Sequence, residues 1–151
     1  MSKKTTGKVL ISIAVAVSAI VSTVVDLLPG ATAHVYNTTW PPHAIFHDIV
    51  MFLLLDWMAL VCLWLLWRKS AEPLVAVRVA VLLVLGFATP FFYVTALFPM
   101  AGLGLNPANP DQGAVVIGGM HVYVNVIFAA ITTVIALIGY WIYRRGDQAQ
   151  R

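Results

Sequence analysis

Residues 45–67 read IFHDIVMFLLLDWMALVCLWLLW, an apolar run broken only by His47, Asp48 and Asp56. Crossing the hydrocarbon core of a bilayer takes about 20 mostly apolar residues in a helix. This run meets that length. Three more runs flank it, at about 9–28, 74–98 and 115–143. Each is long enough to cross with some tilt. The short link RKSAEP, residues 68–73, joins the second run to the third, and Pro73 suits the first turn of a following helix. Two longer polar links, about 29–44 and 99–113, lie on the other side. The fold class expected is all-α: a bundle of four transmembrane helices in a single integral membrane domain, residues 1–151.

Composition agrees. Of 151 residues, 61% are hydrophobic and 10% charged, and the mean hydropathy is +0.91. Soluble domains carry about 25% charged residues. So short and apolar a chain lacks the polar residues to cover its own surface in water. That excludes an ordinary cytosolic enzyme, a disordered protein and a nucleic-acid binder, despite a net charge of +3. The lone cysteine, Cys62, forms no intrachain disulfide and no Cys-rich zinc site.

The nine basic residues set the orientation. Lys3, Lys4 and Lys8 precede the first run, Arg68 and Lys69 follow the second, and Arg78 begins the third. Arg144, Arg145 and Arg151 follow the fourth. All fall on one side, so the positive-inside rule makes both termini cytoplasmic. The expected location is the inner membrane of a bacterium, with the opposite side periplasmic. A cleaved signal peptide is the competing reading of the N-terminus, from Ala31-Thr32-Ala33; the long apolar run, Asp26 and Pro29 argue against it.

The side without lysine or arginine holds all four histidines, His34, His43, His47 and His121. It also holds Asp26, Asp48 and Asp111, with Asn37, Asn106 and Asn109. His43 and His47 are four apart, as are His121 and Asn125, and such pairs share a helical face. On a helix, His121, Asn125 and Thr132 fall within about 40° of one another. Ser18, Ser22 and Asp26 recur every four residues, and Thr89 and Tyr93 repeat that spacing. Asp56 lies about 12 Å deeper than Asp48. Ionisable residues inside a membrane are costly and usually face a bundle interior. A polar pocket in the outer half of the bundle follows, roofed by residues 29–44. Ser18, Ser22 and Thr132 also have a plain structural use, bonding back to their own helices.

Three readings fit. The first is a metal centre acting on a hydrophobic small molecule, with His34, His43, His47 and His121 as ligands to copper, zinc or iron. Asn37 and Asn125 would be weak or outer ligands, and Asp26, Asp48 and Asp56 would orient the histidines or move protons. The second is a metal-free acid–base enzyme of isomerase type. The third is a non-catalytic assembly subunit, docking a membrane-protein partner or its own copy through the rigid Trp40-Pro41-Pro42 segment. Haem fits poorly, because the second run is too bulky beside His47 for a macrocycle.

Residues 32–47, TAHVYNTTWPPHAIFH, resemble a motif of small four-span membrane proteins of fungi and bacteria. That motif is roughly T-H-x-x-N-P-x-W-P-P-H-A-x-F-H and follows an acidic residue in the first span. Asp26, His34, Asn37, Trp40, His43 and His47 match it. Thr38 stands where the pattern often has proline, and Ala33 is an extra residue before His34. The resemblance implies a site at these residues rather than a particular reaction. The layout is also similar, by analogy, to the emopamil-binding sterol isomerase group. Those are helical membrane bundles with acidic and histidine residues in an intramembrane pocket; none of their motifs recurs here residue by residue.

Overall fold

The computed structural model describes residues 1–27, 35–98, 102 and 113–149. His34, Asn106, Asn109, Asp111, Arg151 and the Ala31-Thr32-Ala33 triplet lie outside them. Helices α1 (Lys3–Leu27), α2 (Pro42–Trp67), α3 (Pro73–Ala88) and α5 (Val124–Gln148) make the bundle. A 3₁₀ turn (Thr89–Phe92) extends α3, and a short α4 (Val94–Leu97) follows. Among the described residues four helices, counting α3 with its 3₁₀ extension, are long and apolar enough to cross a membrane.

Local chemistry sets most boundaries. Pro42 opens α2 after the extended Pro41, a position where its missing N–H costs nothing. In the following link the Ser70 hydroxyl accepts the Glu72 amide at 3.1 Å, and Pro73 opens α3. Pro90 cannot donate to the carbonyl four residues back. The helix tightens into the 3₁₀ turn there, while the Thr89 hydroxyl donates to Leu85 O at 2.7 Å. The third span therefore runs 73–92, not to 98 as the run of apolar residues suggested. The first begins at Lys3, so the three N-terminal lysines ride on the helix itself.

The largest correction concerns the fourth span. Residues 114–123 form an antiparallel hairpin of β1 (Ala114–Ile117) and β2 (Met120–Tyr123), and α5 starts only at Val124. The register pairs Val115 with Val122 and Val116 with His121. Gly118 and Gly119 turn the chain at φ of 58° and 83°, the left-handed pair that a type I′ turn requires. β-Branched and aromatic residues on both sides favour strands. His121 thus stands on a strand. Its expected helical alignment with Asn125 and Thr132 does not occur, and the described residues form a helical bundle with a hairpin rather than a purely α fold.

α1 and α5 pack antiparallel along small residues. Gly7, Ile11, Ala14 and Ser18 are buried on one helix, with Ala129, Thr132, Ala136, Gly139, Tyr143 and Gly146 on the other. Membrane helices associate by such close approach, since lipid supplies no hydrophobic drive between them. Lys4 Nζ meets Asp147 Oδ1 at 2.8 Å, joining the two terminal ends. α2 joins at the same end: Trp67 Nε1 donates to Ser12 Oγ at 2.9 Å, and Lys8 lies 5.7 Å from the Trp67 ring. Arg145 covers Trp141 at 3.8 Å and Arg68 covers Trp64 at 4.8 Å. The eight described basic residues thus gather at one end of the bundle, many over interfacial aromatics. Ser18 and Thr132 bond back to their own helices, to Ala14 O at 2.8 Å and Phe128 O at 3.0 Å. Outward faces stay apolar, with Trp57, Trp64 and Leu82 each at least 60% exposed. A bilayer is the solvent that suits such a surface.

Candidate functional site

The other end of the bundle opens into a cavity of about 590 Å³ between α1, α2 and α3. α1 contributes Ser22 and Asp26, one turn apart. α2 contributes Asp48, Met51, Phe52 and Leu55, whose spacing of three and four keeps them on one face. Leu54 and Met58 widen that wall. Leu83, Gly86 and Phe87 of α3 close the far side, with Phe91 of the 3₁₀ turn. Gly86 leaves room here: a Cβ built on it meets nothing within 4 Å. A small cavity of about 20 Å³, lined in part by Ser18 and Cys62, shares Leu55, Met58, Leu83 and Phe87 with the larger one. Ligand sites commonly measure about 300–1,000 Å³, mostly apolar with a few convergent polar groups. The larger cavity has that character, and its two acidic groups come from different helices.

No family model, curated protein or solved structure matches this chain. Its site is therefore read from its own geometry.

Asp56 belongs elsewhere. It lines a second cavity, about 400 Å³, on the α1–α2 seam with Ala16, Ile20, Thr23 and Leu60. The Thr23 hydroxyl donates to both its oxygens, at 3.0 Å to Oδ1 and 2.9 Å to Oδ2. Asp26 and Asp48 thus line one cavity, while Asp56 faces another.

The histidines divide similarly. His43 and His47 meet on α2, Nε2 to Nε2 at 3.0 Å, with ring planes 87° apart. Phe46 stacks on His43 at 12° and 6.4 Å between centroids. His121 lies exposed on β2, and neither it nor His43 nor His47 lines the large cavity. Among the described residues no three His, Cys, Asp or Glu side chains are grouped to hold a metal ion; His34 lies outside them.

Both asparagines organise backbone. Asn37 is buried, and its Oδ1 accepts the Thr39 amide at 2.9 Å and the Thr39 hydroxyl at 2.7 Å. That turn delivers Trp40, Pro41 and the start of α2. Asn125 Oδ1 accepts the Val126 amide at 2.9 Å in the first turn of α5. Sequence reasoning passed over Thr23, because nothing local links it to a residue 33 positions away. It also passed over Met51, Gly86 and Phe87, which in a sequence look like any lipid-facing residues.

Proposed function

We propose that this small polytopic membrane protein takes a hydrophobic small molecule into the cavity between α1, α2 and α3. Asp26 and Asp48 then perform acid–base chemistry at the molecule's polar end. One observation carries this reading: two carboxyl groups from different helices line one cavity that, Ser22 aside, is apolar. Acidic residues cost about 2.5–3.5 kcal/mol each at the centre of a spanning helix, less near its ends, so two on one cavity wall are more than filler. In the reaction, one carboxyl group gives a proton to the substrate while the other takes one from a neighbouring position. The net change is an isomerisation that needs no second substrate. Ser22 fixes the polar end by hydrogen bonding. By the positive-inside rule the basic end is cytoplasmic, so the cavity serves the outer leaflet, periplasmic in a bacterial inner membrane.

The test uses a fluorescent alkylamine, dansyl-dodecylamine, with the full chain in nanodiscs. Saturable binding is expected, weakened about tenfold or more, roughly 1.4 kcal/mol, in Asp26→Asn/Asp48→Asn. Gly86→Phe fills the space and abolishes binding without unfolding the protein. Equal binding by all three proteins contradicts the reading. For the chemistry, a total lipid extract is incubated in D₂O with wild type or Asp48→Asn. Deuterium entering a lipid with wild type alone supports proton transfer, and no difference between the two counts against it.

A further inference from the structure

The histidine pair lies beside the cavity rather than in it. His43, His47 and Met51 succeed one another at four-residue steps on α2, and Met51 lines the cavity wall. The pair thus stands one turn beyond the wall, with both side chains exposed. We propose that His43 and His47 form a two-imidazole chelate for a divalent transition ion of tetragonal preference, copper(II) or nickel(II), at the mouth of the cavity.

The spacing lets both nitrogens reach one ion. With metal–nitrogen bonds of about 2.0–2.1 Å, nitrogens 3.0 Å apart subtend about 94° at a shared ion. That is the angle between adjacent ligands in square-planar or octahedral coordination, the arrangement of copper(II) and nickel(II). Both ligands come from one helix turn, and Phe46 stacked on His43 restrains one ring. Both ligands are therefore presented by one helix turn, without a loop having to fold around the ion. Water, or the polar end of a cavity ligand, completes the coordination.

In the metal-free pair one Nε2–H donates to the other Nε2. When the ion enters, that ring keeps its hydrogen on Nδ1 instead, so both Nε2 atoms coordinate as neutral imidazoles. The neutral pair loses no proton. This site is independent of the carboxyl chemistry inside the cavity, and either stands without the other.

The full chain is purified in mild detergent through a tag without histidines, stripped with EDTA, and titrated with copper sulfate and with nickel chloride. One copper(II) per chain is expected, with a tetragonal electron paramagnetic resonance spectrum split by two nitrogens. Loss of an outer-shell partner alone weakens metal sites about 10–100-fold, so His43→Gln and His47→Gln should each lose at least that. His121→Gln should bind like wild type. Because both side chains are exposed, the variants should melt with the wild-type protein, which separates lost binding from lost folding. Copper bound equally by His43→Gln/His47→Gln overturns the proposal. So does the absence of saturable binding by wild type at micromolar copper, or loss of binding in His121→Gln.

Discussion

Gly7 of α1 and Gly139 of α5 meet backbone to backbone. A Cβ on Gly7 would lie 2.6 Å from the Gly139 carbonyl oxygen and 2.7 Å from Tyr143 Cβ. A Cβ on Gly139 would lie 3.0 Å from the Gly7 carbonyl oxygen. No side chain can yield there, so Gly7→Ala must push the helices apart. Overpacking of this kind costs about 1–3 kcal/mol. Gly86→Ala is the internal control, because its Cβ enters open space and gains about 0.8–1.0 kcal/mol of helix propensity. Unfolding in mixed micelles, followed by circular dichroism, should separate the two in opposite directions. A harmless Gly7→Ala would show that α1 and α5 do not approach this closely.

The Thr23–Asp56 contact joins α1, about one turn from its end at Leu27, to the middle of α2, at 3.0 and 2.9 Å. Interhelical polar contacts in membranes average about 0.6 kcal/mol and reach about 1.7. A double-mutant cycle of Thr23→Val and Asp56→Asn should return a coupling in that range. Because Asp56 and Asp26 line different cavities, Asp56→Asn should leave alkylamine binding intact while Asp26→Asn weakens it. Equal loss in both would mean the two cavities act as one.

The four spans were legible because hydropathy alone marks a stretch that lipid can solvate. The start of the fourth was not. Residues 114–123 are as apolar as the helix that follows, and hydropathy cannot tell a hairpin from a helix; only the Gly118-Gly119 turn between two short runs rich in valine separates them. That one missed turn also misplaced His121. The site was half legible. The four-residue steps of Ser22–Asp26 and His43–His47 are local, and the structure keeps both. Which helix faces which is not local. Asp56 therefore looked like a deeper partner of Asp48, although it is bonded to Thr23 across the α1–α2 seam.

The terminal ends of α1 and α5 offer a direct check on topology. A Cβ on Gly146 would lie 2.9 Å from Lys3 Cβ, and disulfides bridge Cβ atoms about 3.5–4.5 Å apart. A shift of under an ångström accommodates the bond. Lys3→Cys/Gly146→Cys should oxidise to an intramolecular disulfide in membranes, seen as a mobility shift that reductant reverses. Cys62, only 1% exposed, does not compete. Failure to cross-link would contradict the antiparallel pairing that the Lys4–Asp147 ion pair also reports.

The hairpin turn makes a prediction specific to each glycine. Gly118 and Gly119 sit at φ of 58° and 83°, where a side chain with a Cβ costs about 1–2 kcal/mol. Asparagine tolerates the left-handed region and is favoured at the first position of a type I′ turn, whereas a β-branched residue is not tolerated at either position. Gly118→Asn should therefore keep the hairpin, and Gly119→Val should open it. Amide hydrogen exchange at Ile117, Met120 and Val122 reads the outcome, since those residues belong to the hydrogen-bonded pairs of the β1–β2 ladder. Exchange should rise in Gly119→Val and stay near wild type in Gly118→Asn. α5 begins at Val124, whose amide donates to Gly113 O at 3.0 Å across the base of the hairpin. Opening the turn should thus fray the first turn of α5 without touching its seam with α1. Equal protection in both variants would return residues 114–123 to the continuous helix that hydropathy alone suggests.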